Sequence, residues 1–457
     1  MHFWSLEETA RKIRAREVSS VEVTRAALER ARRSNPWLNA FVTFTEERAL
    51  EDARRADESI SRSAADPRAM PLLGVPVSVK DMFETADAPA TCGSRVDRGP
   101  PSGTDAEAVR RLREAGAVVI GKTNVSEFAW GSVQSAFGAL ANPWDPQRFA
   151  GGSSSGSGAS LAAGIGYASL GGDTAGSIRM PAAFCGVVGI KPTFGRVSCR
   201  GAVPLAWTMD CAGPLARRAR DAQIVLAAIA EPTPPARAAV RRRISMADAT
   251  LGIPRTHFFE SLDEDVERAM NEAMRELQGL GVRFREVELP LASHANLATA
   301  IILQVEAAAV HRPLIAHQFD AYGEIFRGRL VQGLLIPGHV YLKAQQLRNR
   351  IRREFQAALG GVDAILTPTT AIAAHPLSES PRNSARVADV GRCTSAASLA
   401  GLPAVSLPCG FTRDGLPIGL QLIGRAFEED VLLQMGIAYQ AATDWHERRP
   451  PRIEERG

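Results

Sequence analysis

The chain has 457 residues, of which 45% are hydrophobic and 23% charged, and a net charge of +4. That composition belongs to a soluble globular protein with room for one large domain or a few average ones. It excludes several classes. The arginines are scattered rather than clustered in a stripe, so no nucleic-acid surface is expected, and no stretch approaches the ~20 unbroken apolar residues of a membrane span. The start, Met1-His2-Phe3-Trp4, has no basic segment followed by an apolar run, so no secretory leader is expected and the chain is read as cytoplasmic. Six cysteines lie far apart without a C-x-x-C pair, and eight histidines give no H-x-x-x-H pair, so neither a zinc site nor a disulfide framework is expected.

The first 65 residues read as helices. Ser5 and Glu8 form a capping-box pattern, Ser19 to Glu22 opens a second helix, and a third runs from about Glu46 to Ile60. Residues 61–69 read as a loop. Leu73 to Val79 reads as a strand that delivers Lys80 and Asp81, Asp105 to Ala115 as a helix, and Ala117 to Ile120 as a strand. A helix is expected over Ser160–Gly164, just after a Gly/Ser run, and a buried strand over Phe184–Ile190. Residues 231–243, rich in proline, read as a connector, with Arg241-Arg242-Arg243 on a solvated loop. Strand, helix and strand follow over Leu251–Ile253, Asp263–Gly279 and Val282–Val287. Helices are clearest at 297–318 and 339–359. Ala364–Leu366, Ala404–Leu407 and Ile418–Ile423 read as strands, and Glu428–Ala442 as a last helix. Strands alternating with helices predict an α/β sheet with helices on both faces.

Two motifs compete for chemistry. Gly116 to Thr123 fits the Walker A pattern, but its interior Ala-Val-Val-Ile belongs in a strand, whereas a phosphate cradle needs a flexible loop. The denser signal is Gly151-Gly152-Ser153-Ser154-Ser155-Gly156-Ser157-Gly158, followed by Asp173-Thr174-Ala175-Gly176-Ser177-Ile178-Arg179. The run fits a linker, an anion-binding nest or a catalytic loop; the second Gly/Ser turn and Lys80 at a strand end add weight to the last. A serine needs a base, and no histidine lies between His2 and His257. A neutral lysine can serve. Bringing Lys80 to about pH 7 costs roughly 4–5 kcal/mol, a shift that burial can produce.

These residues resemble the amidase signature family. The likeness covers Val75 to Asp81, Gly121 to Asn124, Asn142 to Asp145, Gly151 to Ser157, Gly172 to Arg179, Pro181 to Gly186, Gly189 to Thr193, Leu399 to Ala404 and Gly415 to Gln421. It implies one large α/β domain over 1–457, with a twisted mixed sheet between helices. Residues 1–65 would be N-terminal helices, 66–230 the signature core, 244–360 a variable helical excursion and 361–457 the return to the sheet. It implies Ser177 as nucleophile, Ser153 as a bridging serine after a cis peptide bond, and Lys80 as base. The backbone amides of Thr174, Ala175, Gly176 and Ser177 would form the oxyanion hole. No cofactor or metal is implied; the partners are a small-molecule amide and water, and a homodimer stays open.

Ala175 replaces a glycine common in the family, which predicts activity with an altered acyl preference. Trp130 falls where relatives line the acyl pocket, though a buried core tryptophan reads equally well. Cys185 and Arg179 read as structural, and Arg348 as a solvated residue rather than a partner of a substrate carboxylate. The apolar residues Ile301, Ile302, Leu303, Leu330, Leu334, Leu335 and Ile336 suggest a hydrophobic substrate or helix packing. The function read from this is hydrolysis of the C–N bond of a small hydrophobic or aryl amide, or a carbamate. The alternative is the glutaminase subunit of a transfer-RNA amidotransferase, and Gly391-Arg392 argues against it by standing where those subunits carry an acid. A non-catalytic scaffold is disfavoured by Lys80, Ser153 and Ser177 occurring together.

Overall fold

The computed structural model describes residues 1–62, 70–232, 244–379 and 383–451. The loop expected near 61–69, and the connector with Arg241-Arg242-Arg243, lie largely outside the described residues. Eleven strands form one mixed sheet flanked by helices. They are β1 (Phe41–Phe44), β2 (Pro76–Lys80), β3 (Val118–Thr123), β4 (Ala168–Asp173), β5 (Val188–Lys191), β6 (Cys211–Ala216), β7 (Thr250–Ile253), β8 (Arg283–Glu286), β9 (Ala364–Pro368), β10 (Ala404–Phe411) and β11 (Pro417–Ile423). Their spatial order is β1-β3-β2-β4-β6-β5-β10-β11-β9-β7-β8, and the edge strand β8 is blunted by the charges of Arg283, Arg285 and Glu286.

β2 and β4 are parallel neighbours, with Val77 opposite Ala168 and Val79 opposite Leu170. Their carboxyl ends therefore place Lys80 and Asp173 at the same end of the sheet, the position where open α/β sheets bind ligands. Both strands are wholly buried.

Helix α1 (Leu6–Arg14) is capped by the Ser5 hydroxyl, and α2 (Ser20–Leu38) by a complete Ser19–Glu22 capping box. Lys122, the lysine of the Walker-like match, sits inside β3, buried 3.2 Å from Asp81, so no phosphate loop exists there.

Two expectations are corrected. The small-residue helix α3 spans Ser155–Ala162 and so begins inside the Gly/Ser run rather than after it. Packing outweighs local propensity there: all eight residues are buried, and a Cβ on Gly156 would meet the Ala40 carbonyl oxygen at 2.2 Å and the Asn124 amide nitrogen at 2.6 Å. The apolar run Phe184–Ile190 is divided. Phe184 and Cys185 end helix α4 (Arg179–Cys185), Gly186 turns the chain at φ 71°, and only then does β5 begin. Such a left-handed residue is a common helix stop.

The excursion holds α5 (Ala295–Gln318), α6 (Glu324–Leu335) and α7 (Gly338–Leu359), and α8 (Arg392–Leu399) follows β9. Among the described residues no helix is long and apolar enough to cross a membrane. Gly156→Ala is expected to lower stability by about 2–3 kcal/mol through overpacking, read as a fall in denaturation midpoint at unchanged slope.

Candidate active site

Lys80 ends β2 fully buried, with its Nζ 2.7 Å from Ser153 Oγ and 3.1 Å from the Gly172 carbonyl oxygen. Removal from water pushes its ammonium down to about 7, against the opposing charges of Asp173 and Asp210. A substantial neutral fraction near pH 7 follows, and a neutral amine can accept a proton.

Ser153 follows a cis peptide bond with Gly152, as the resemblance implies. The next residue joins the two serine-bearing segments: the Ser154 amide donates to the Ser177 carbonyl at 3.1 Å, and the Ser154 hydroxyl donates to the Gly172 carbonyl at 3.1 Å. Ser153 and Ser177 line the same cavity.

The turn that carries Ser177 is shaped by a buried ion pair. Arg179 reaches both Asp173 carboxylate oxygens at 3.0 Å. Its remaining donors go to the Thr394 carbonyl, Gln421 Oε1 and Ser398 Oγ. All five N–H groups are thus used inside the protein, so Arg179 holds the loop, as expected. Burial opposes charge on Asp173, but Arg179 outweighs it and holds the carboxyl at about 2.

Asp173 in turn accepts the Gly176 amide at 2.7 Å and the Ile178 amide at 3.1 Å. Of the four amides expected at the oxyanion hole, that of Gly176 donates to Asp173 in this structure. Gly176 itself is required, because its φ is 132° and a Cβ would lie 2.2 Å from Thr394 Oγ1.

A cavity of about 210 Å³ opens over the serines. Ala175 lines it, as does Trp130, which is half-buried under the Arg329 guanidinium at 4.3 Å. The wall is otherwise largely apolar, including Phe149, Met180, Phe184, Leu205 and Leu303. Of the excursion residues that suggested a hydrophobic substrate, Leu303 alone lines the cavity. Ile302 and Leu330 are core, and Leu334 and Leu335 are exposed.

Arg348 departs from its expected place in solvent. It is half-buried and donates to the Leu399 and Thr208 carbonyls at 2.8 and 2.6 Å. Sequence reasoning missed Arg329 and His375, both lining the cavity; nothing local marks either. His375 Nδ1 lies 3.0 Å from the Pro376 carbonyl oxygen and its ring packs on Phe149, so it serves as wall. Cys185 is buried with its thiol toward the Ala150 carbonyl, and all six cysteines are free. Among the described residues no group of three metal-binding side chains occurs.

The amidase family profile matches residues 22–433. The chain belongs to the amidase family. It is 39% identical to a glutamyl-tRNA(Gln) amidotransferase subunit of Symbiobacterium thermophilum, with 97% of each chain covered. A crystal structure of an amidase superposes with a TM-score of 0.88 at 34% identity, covering 96% of this chain and 99% of that one. A protein from a vestigial complex, tied to the origins of an s-triazine catabolic enzyme, superposes at 0.87 with 32% identity, covering 96% and 98%. The chain is accordingly an amidase-family C–N hydrolase.

Lys80 also carries a stability signature. Its folded proton affinity is depressed, so the unfolded chain binds more protons between about pH 7 and 10.5 and stability rises with pH across that window. Lys80→Met is expected to stabilise the fold by about 2 kcal/mol more at pH 6 than at pH 9. Chemical denaturation at the two pH values checks this; equal effects would place a charged lysine in the fold at both.

Proposed function

We propose that the chain hydrolyses the carboxamide of a small amide that carries a carboxylate, with Ser177 as nucleophile, Ser153 as proton bridge and Lys80 as base. Arg329 carries the substrate reading: it is the one cation among the described residues lining an otherwise largely apolar cavity. The guanidinium stacks over Trp130 and donates from Nη1 to the Trp130 carbonyl, and its charge in a partly desolvated wall attracts a carboxylate.

In the forward step Ser177 Oγ attacks the amide carbon. Its proton passes to Ser153 and the Ser153 proton passes to Lys80. The amides of Thr174, Ala175 and Ser177 would receive the developing oxyanion. The C–N bond then breaks, the proton returns from Lys80 through Ser153 to the leaving nitrogen, and ammonia departs. Water attacks the acyl ester by the same route in reverse and releases the acid.

Glutamine is the first candidate amide, because the Symbiobacterium relative is a component of a glutamyl-tRNA(Gln) amidotransferase. That relationship favours the amidotransferase reading over an aryl-amide or carbamate hydrolase, which it does not support. A protein partner would have a face to meet: Val331, Leu334, Leu335 and Leu342 are all exposed around the α6–α7 corner, and clustered exposed apolar residues are a feature of interaction surfaces. Lys343, Arg350, Arg352 and Arg353 are exposed on α7, so an acidic partner fits this face.

A second reading is favoured by Gly391. It lines the cavity, and no carboxylate does so among the described residues, so no lining carboxylate there would form an ion pair with the α-ammonium of glutamine. A carboxylate amide without an amino group fits that wall.

Ammonia release from glutamine, glutaramate (glutamine without its amino group) and hexanamide separates these. Both carboxylates are expected to exceed hexanamide by about tenfold or more, and Arg329→Gln to remove the preference mainly through KM. Glutaramate well ahead of glutamine selects the second reading; hexanamide ahead of both contradicts the carboxylate assignment. Ser177→Ala should abolish turnover, kcat/KM should rise with pH through about 7 as Lys80 loses its proton, and Ala175→Gly should favour bulkier acyl groups. An unchanged acyl profile in that variant would remove the role given to the methyl group.

A further inference from the structure

Behind the Ser177 turn lies a second carboxylate, Asp210. It is fully used: Oδ1 accepts the Thr174 hydroxyl at 2.7 Å, and Oδ2 accepts the amides of Leu205 and Ala206 at 2.9 and 3.0 Å. Thr174 belongs to the turn between β4 and Ser177, and both Thr174 and Leu205 line the cavity. One side chain therefore ties the turn that carries Ser177 to another part of the cavity wall.

The turn from Leu205 to Asp210 is fixed from its other side too. Glu306 on α5 accepts the Thr208 amide and hydroxyl at 3.0 and 2.7 Å and the Tyr341 hydroxyl at 2.8 Å, while Arg348 on α7 donates to the Thr208 carbonyl. The wall is thus a braced element, and Asp210 is its connection to the reacting serine.

We propose that Asp210 is a positioning residue for the hydrolysis: through Thr174 it sets the turn that carries Ser177, through Leu205 it sets the cavity wall, and its negative charge acts on Lys80. The proposal rests on the serine-nucleophile reading above. The charged and titratable groups that bear on Asp210 are Lys80 on β2, Glu306 on α5, Cys199 before it and Cys211 after it. Burial raises the Asp210 carboxyl to about 6, so it is mostly ionised above that pH and supports the ammonium form of Lys80. Removing the charge should let Lys80 lose its proton at lower pH.

Two readouts test this on the full chain: ammonia release from the best amide of the panel, and the rate at which a fluorophosphonate labels Ser177, followed by intact mass. Asp210→Asn is expected to lower kcat about tenfold or more with a smaller change in KM, and to move the acid limb of the labelling rate down by about half a pH unit or more. Thr174→Val should lower kcat and, because the lost hydroxyl helps keep Asp210 ionised, move the limb in the same direction by no more than Asp210→Asn does, and Thr174→Ser should restore both, kcat to within about threefold. A structural role alone would not move the limb.

Wild-type labelling that disappears in Ser177→Ala verifies the nucleophile without any choice of substrate. Against that background, a limb and kcat unchanged in Asp210→Asn, or a Thr174→Val that behaves like wild type, overturns the inference and leaves the nucleophile standing. A wild-type Ser177 inert to the probe overturns both.

Discussion

An ammonium group held out of water is expensive, and the site is organised around that constraint. Lys80 ends a wholly buried strand, and the partners its Nζ meets are neutral oxygens, those of Ser153 and Gly172. A carboxylate in contact would fix the charge and leave a spent base. The carboxylates that act on it, Asp173 and Asp210, are engaged elsewhere, one by Arg179 and the other by Thr174 and two backbone amides. Their fields temper the shift without making an ion pair. The outcome is a lysine poised near neutrality, the condition a general base needs.

The sheet converts that local condition into geometry. Parallel pairing of β2 with β4 brings Lys80 to the Gly172 carbonyl, one residue before Asp173, and the Asp173–Arg179 pair bends the following residues into the turn that carries Ser177. Arg179 also reaches the Thr394 carbonyl and Ser398 of α8 and Gln421 of β11. Segments more than two hundred residues apart thereby meet on one guanidinium. Removing one partner of such a buried pair leaves an uncompensated charge, typically a loss of about 3–5 kcal/mol, so the turn depends on the whole fold being in place.

The sequence made some of this legible and hid the rest for physical reasons. Helix starts were readable where a side chain caps them, as at Ser5 and Ser19. Lys80, Ser153 and Ser177 stand out in the sequence because a glycine-serine cluster has few structural uses and the family resemblance assigns them roles, and the fold sets Lys80 against Ser153 and puts both serines on one cavity. β4 escaped because Ala168 to Asp173 is rich in small residues that favour no strand, yet it lies inside the sheet, where neighbours on both sides supply the pairing. The early start of α3 was hidden because its glycines allow close contacts with residues distant in sequence, Gly156 with Ala40 and Asn124 and Gly158 with Pro181 of α4. Arg329, Glu306 and Asp210 carry no local signature; their meaning exists only once α5 and α6 fold over the turn.

The most direct measurement is the titration of Lys80 itself. In Ser177→Ala protein labelled with 13C at lysine Cε, the Lys80 resonance, assigned by its loss in Lys80→Met, can be followed from pH 5 to 11. A midpoint near 7 is the result predicted by a dry, unpaired amine serving as base. A midpoint at or above about 10, the range of an ordinary solvated lysine, would contradict the account.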